Sequence, residues 1–134
     1  MYDIVVSQRD QFGCGVACVA YLCKKSYDDA KTFFNSDRIH EYGCDCIDIV
    51  NALARCGFNY AYKQYAGEYM YIPDRSIVFV GPSKIYRVGH YLVKCNDSTW
   101  MNPWIYGENV TEAQAGYQHN LLEDNIEWVI YHLS

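Results

Sequence analysis

Gln8-Arg9-Asp10-Gln11-Phe12-Gly13-Cys14-Gly15-Val16-Ala17-Cys18-Val19-Ala20-Tyr21-Leu22-Cys23-Lys24-Lys25 is the stretch that decides the fold. From Cys14 onward it is apolar nearly all round and closes on two lysines, which suit the negative end of a helix. A helix without a polar face must be surrounded by protein. The reading is a central, buried helix over 14–25, entered from a polar loop that begins at Gln8.

Working outward, Ser26-Tyr27-Asp28-Asp29 reads as an N-cap followed by acidic first-turn residues, opening a helix through about Phe34. A third helix is expected from Asp45 or Cys46, with Ile47, Ile49, Val50, Leu53 and Ala54 as its apolar face and Gly57 as its stop. The character then changes. Strands are expected over 59–65, 76–80, 90–95 and 126–133, and 99–101 folds back on 90–95 through the turn Asn96-Asp97-Ser98. Met1 to Ser7 also reads as a strand. Helices first and antiparallel strands afterwards indicate an α+β domain, N-terminal helices with the central buried helix packed on an antiparallel β-sheet.

Composition narrows the function. The chain has 134 residues, about one domain's worth, and no linker or repeat divides it, so residues 1–134 are expected to form a single domain. The net charge of −5 argues against a nucleic-acid partner, which would need a basic patch. No apolar run approaches the ~20 residues of a membrane span, and the N-terminus lacks the basic start of a signal peptide. Seven cysteines, an odd number without an export signal, point to reduced thiols and a cytoplasmic location. Zinc is the competing reading, through Cys44, Cys46 and His40, but no second pair completes a ligand set. No metal or cofactor is expected, and most of the cysteines are read as small buried hydrophobes. His119 and His132 read as surface or packing residues, Glu41, Asp45 and Asp48 as helix-start charges, and Glu123-Asp124 as a solvated turn. Residues 116–119 have no mechanistic reading.

The chemistry gathers at four residues. Cys14 sits between glycines at a helix start, where the helix field favours a thiolate and its own N–H can face a developing oxyanion. Gln8, in the loop before it, can bring a second donor to the same point. His90 opens one strand of the hairpin and Asn102 ends the other, so the two can lie side by side, with Asn102 orienting the imidazole. Oxyanion donor, nucleophile, base and orienter make a thiol acyl-transfer site, with Cys14 and His90 expected as a thiolate–imidazolium pair. Each residue also has a bland reading: a packing cysteine, a half-buried histidine, an ordinary Asn-Pro turn, a surface glutamine.

The sequence resembles the bacteriocin-processing, double-glycine-leader peptidases of the papain-like cysteine proteases. The Gln8-to-Cys14 spacing, Gly15-Val-Ala-Cys-Val-Ala-Tyr21, Gly43 to Phe58, Ile77-Val-Phe-Val80, Gly89-His-Tyr-Leu-Val93 and Asn102-Pro103 carry the resemblance over roughly residues 4 to 133. It implies a papain-like cysteine protease fold and a hydrolase whose partner is a peptide or protein substrate. By the resemblance, Cys14 is the nucleophile, His90 the base, Asn102 the orienter and Gln8 the oxyanion donor. Two positions depart from the family: Gly13 replaces an acidic or amide residue, and Asn102 an aspartate. The best-known members are parts of peptide-exporting transporters, whereas a free-standing domain is expected here. A deamidase, an acyl transferase or a non-catalytic peptide-binding domain could use the same frame, and oligomeric state is open.

Overall fold

The structure is a computed structural model that describes residues 4–10, 12–34, 43–67, 70–105, 112–119, 121 and 125–133. Its first helix, α1 (Cys14–Cys23), is the centre of the molecule. Every residue from Gly15 to Cys23 is buried, and Val16, Ala17, Cys18, Val19, Ala20 and Leu22 are at most 1% exposed. Burying a Val or Leu side chain contributes about 1.5–3 kcal/mol, so this one helix anchors much of the core. Lys24 ends it in the left-handed conformation (φ 57°), and Lys25 N–H closes back on Ala20 O.

α2 (Tyr27–Lys31) is capped by Ser26, whose Oγ accepts the Asp29 N–H at 3.1 Å. It is shorter than expected, because the chain passes into turns at Thr32 and Phe33. α3 (Cys46–Arg55) starts with a reciprocal cap between Asp45 and Asp48, as the helix-start reading of those charges implies. Its buried face is Ile49, Ala52 and Leu53. These follow the i, i+3, i+4 spacing of one helix stripe, and Ile47 and Ala54 fall off it into solvent, contrary to the sequence expectation. Phe58 N–H to Leu53 O closes the helix at Gly57.

The strands are β1 (Tyr60–Gln64), β2 (Ile77–Val80), β3 (His90–Asn96), β4 (Thr99–Asn102), β5 (Gly116–Gln118) and β6 (Ile126–His132). Among the described residues they form a six-stranded sheet in the order β1-β6-β2-β3-β4-β5, every neighbouring pair antiparallel. One sheet face buries Ile77, Tyr91, Val93, Met101 and Ile130 against α1 and α3, and the other buries Val78, Leu92, Trp100 and Val129. This is the α+β arrangement expected, with two differences. β5 is a strand that the sequence pattern does not predict, and Ile4 to Ser7, the described part of the expected first strand, form no strand. That segment instead borders a cavity of about 550 Å³ beside Ala20, Tyr21 and Tyr27 of the helical layer, and among the described residues no strand pairs with it.

All seven cysteines are free. Only Cys18 and Cys23 are buried; the others are half-buried at the margin of the core, which corrects the expectation that most are interior. No helix among the described residues is long and apolar enough to cross a membrane.

Candidate active site

Cys14 is the first residue of α1, and the loop before it is knotted by its own hydrogen bonds. Asp10 O accepts Gly13 N–H at 3.0 Å and Gln8 Nε2 at 3.1 Å. The Asp10 carboxylate, in turn, accepts Tyr27 Oη at 2.8 Å and Lys31 Nζ at 2.9 Å. Gln8 is 4% exposed, and its side-chain amide is therefore fixed rather than trailing in solvent. The Gln8 backbone N–H donates to Pro103 O at 3.4 Å, which brings the loop beside the residue that follows Asn102.

The sheet supplies the other half. Gly89 (φ +87°) turns the chain into β3, and a Cβ there would lie 2.3 Å from Phe79 Cζ and 2.7 Å from Val80 O. His90, the next residue, is 2% exposed, and its Nε2 lies 2.7 Å from Asn102 Oδ1. Asn102 is 1% exposed, and its amide is filled at every position. Oδ1 also accepts Trp104 N–H at 2.9 Å, and Nδ2 donates to Tyr86 Oη at 2.8 Å and to Gln118 Oε1 at 2.7 Å. Because Nδ2 serves two acceptors and Oδ1 takes a backbone N–H, the amide cannot be turned round. His90 must then donate from Nε2, which leaves Nδ1 as the basic nitrogen. The Tyr86 ring lies flat on the imidazole, centroids 3.9 Å apart and planes 1° from parallel.

Electrostatics ties Cys14 to this group. Burial pushes its thiol up to about 11, while hydrogen bonds from the backbone of Tyr91, Gly15 and Cys14 itself act the other way. Tyr91 follows His90 in β3, so the sulfur lies at the start of the strand that carries the imidazole. The Tyr86 hydroxyl, pushed up mainly by burial, is also raised by the charge a Cys14 thiolate would carry. His90 is pushed down to about 4 by burial, against the Asn102 bond that favours its charged form. Burial thus disfavours the charged form of each group, while the backbone donors to the thiol and the Asn102 bond to the imidazole favour it.

The structure therefore brings all four sequence-derived residues to one region, with His90 and Asn102 in direct contact. It adds Tyr86, Gln118 and Trp104, which sequence reasoning missed. Gln118 falls in the 116–119 stretch that had no reading, and only the β4–β5 register, Asn102 opposite Gly116, brings it to the site. Elsewhere, His119 Nδ1 is 3.3 Å from Ser98 O and His132 packs on the Tyr60 ring, as surface residues. His40, Glu41, Glu123 and Asp124 lie outside the described residues. Among the described residues no group of three or more His, Cys, Asp or Glu could hold a metal ion.

No family model matches the sequence, and no curated protein matches it significantly. Among solved structures, the chain is similar to the peptidase domain of Streptococcus ComA, a bi-functional ABC transporter involved in a quorum-sensing pathway. The TM-score is 0.62 and the identity 16%, with 98% of each chain covered. The chain has the papain-like peptidase fold. At this identity the likeness is one of architecture, and it agrees with the fold that the sequence resemblance implied.

Proposed function

We propose that this chain is a papain-type cysteine peptidase, one domain over residues 1–134, acting on a peptide or protein substrate in the cytoplasm. The observation that carries the proposal is the buried 2.7 Å contact between His90 Nε2 and Asn102 Oδ1, because it leaves Nδ1 basic beside the strand position that Cys14 faces. The fold shared with a transporter's peptidase domain and the sequence resemblance to leader peptidases support a peptide as substrate, leader peptides included.

In this mechanism His90 Nδ1 takes the Cys14 proton as the thiolate attacks the peptide carbonyl. The Cys14 N–H and the Gln8 side-chain amide hold the oxyanion. His90 then protonates the leaving amine, and water, deprotonated by the same imidazole, releases the acid from the thioester.

The test is mass spectrometry of peptide mixtures incubated with the protein and with Cys14→Ala. Chain scission that requires Cys14 supports the peptidase. Deamidated or transferred products that require Cys14 would replace it with the related acyl-transfer chemistries. Peptide retention without turnover in either protein would leave a binding domain.

A further inference from the structure

Tyr86 belongs to none of the loop, helix and hairpin that supply Gln8, Cys14, His90 and Asn102. It sits in the 81–89 connection, held by its own turn: Tyr86 N–H donates to Ser83 Oγ at 3.1 Å, and Tyr86 O accepts Ser83 N–H at 2.8 Å and Gly89 N–H at 3.1 Å. Its neighbours Ile85 and Val88 are exposed, at 43% and 62%, while Tyr86 turns inward. A loop that leaves its aliphatic residues in solvent yet sends its one aromatic residue onto an imidazole invites a functional reading.

Two contacts act at once. The phenol ring covers one face of His90 in a parallel stack. The hydroxyl accepts from Asn102 Nδ2 and donates to Trp104 O, and Trp104 N–H in turn reaches Asn102 Oδ1. One side chain therefore fixes the imidazole plane and the amide that orients it. By covering one face of the imidazole, the ring also keeps water from it, which disfavours the charged form in the resting protein.

We propose that Tyr86 is a positioning residue of the acyl-transfer site: its ring holds the His90 imidazole in plane and dry, and its hydroxyl locks the Asn102 amide to it. This rests on the peptidase reading for its catalytic consequence, but the placement of His90 can be measured without turnover.

The experiment compares wild type, Tyr86→Phe and Tyr86→Leu. Nitrogen-15 NMR follows the His90 tautomer, titration and Nε2–H exchange, and kcat and KM are measured on a peptide the wild type cleaves. Tyr86→Phe keeps the stack and loses the lock, so Nε2–H exchange quickens and kcat falls about tenfold with KM little changed. Tyr86→Leu loses both, and the His90 titration moves upward by about one pH unit or more as water enters. A purely structural tyrosine would lower the unfolding midpoint and leave the tautomer, exchange and titration of the folded protein as in wild type; that result in both variants overturns the proposal. If Tyr86→Leu does not fold, Tyr86→Phe alone decides it by the exchange rate. A wild type that cleaves nothing sinks the peptidase reading, while the NMR arms still decide the role of Tyr86.

Discussion

The Gln8 backbone N–H donates to the Pro103 carbonyl at 3.4 Å, so the loop that leads into α1 is tied to the residue after Asn102. The two halves of the candidate site come from different layers of the fold, helix and hairpin, and this main-chain contact aligns them without using the side chain of Gln8 or of Asn102.

A consequence is that the Gln8 side chain can be removed with the alignment intact. Gln8→Ala is predicted to lower kcat by about a hundredfold or more, the usual loss for one oxyanion donor, with an unfolding midpoint close to wild type. Kinetics on any cleaved peptide, paired with urea unfolding, checks both halves. Unchanged kcat would take Gln8 out of the mechanism.

Gly13 is set by Tyr27. A Cβ at residue 13 would lie 1.9 Å from Tyr27 Oη, and that hydroxyl is held by the Asp10 carboxylate, so it has little room to retreat. Backbone geometry is no obstacle, since φ of Gly13 is −91°. Gly13→Ala is therefore predicted to cost about 1–3 kcal/mol, as overpacking typically does. Tyr27→Phe in the same chain should recover part of that loss. Urea midpoints of the single and double variants measure it, and a double variant no better than Gly13→Ala would contradict the contact.

Much of the fold and of the site is legible in the sequence. The apolar run from Cys14 can only be a central helix, and the turn at 96–98 places His90 and Asn102 at the paired ends of a hairpin. The misses have physical causes. Ile4 to Ser7 has strand-like composition, but pairing needs a neighbour, which composition does not reveal. β5 is three residues long and half-buried, too short for a period. Tyr86 is one tyrosine among fourteen, with no local pattern to separate a ring stacked on a base from one that fills the core. The effect of burial on Cys14 and His90 is hidden for a different reason: sequence shows a helix start but not the depth of burial.

Asn102 can be tested by changing its charge. A carboxylate at this position would face His90 Nε2 across 2.7 Å and favour the imidazolium, so Asn102→Asp is predicted to raise the His90 titration above its value of about 4. Asn102→Ala instead leaves Tyr86, Gln118 and the Trp104 N–H without their partner, at about 1–3 kcal/mol for a buried group left unpaired. NMR titration of the imidazole proton and urea unfolding read the two effects. A His90 titration unmoved in Asn102→Asp would show that the pair is not coupled.

His90 and Cys14 also give stability a defined pH dependence. His90 titrates at about 4 in the folded chain and near 6.5 when unfolded, so between those values the unfolded state binds more protons. Stability from this group is complete above pH 6.5 and is lost as pH falls toward 4, by up to roughly 3 kcal/mol for a side chain so buried. Cys14 acts at the other end. Its thiol, raised from 9.0 to about 11, ionises more readily unfolded, so stability declines as pH rises from 9 to 11. Urea midpoints across pH, compared between wild type, His90→Gln and Cys14→Ala, isolate each contribution from the other titrating groups. The His90→Gln curve should be flatter between pH 4 and 6.5, and the Cys14→Ala curve flatter between 9 and 11. Superimposable acid limbs would mean that His90 is solvated and already able to charge. The imidazolium–thiolate pair would then be back within reach of the free protein.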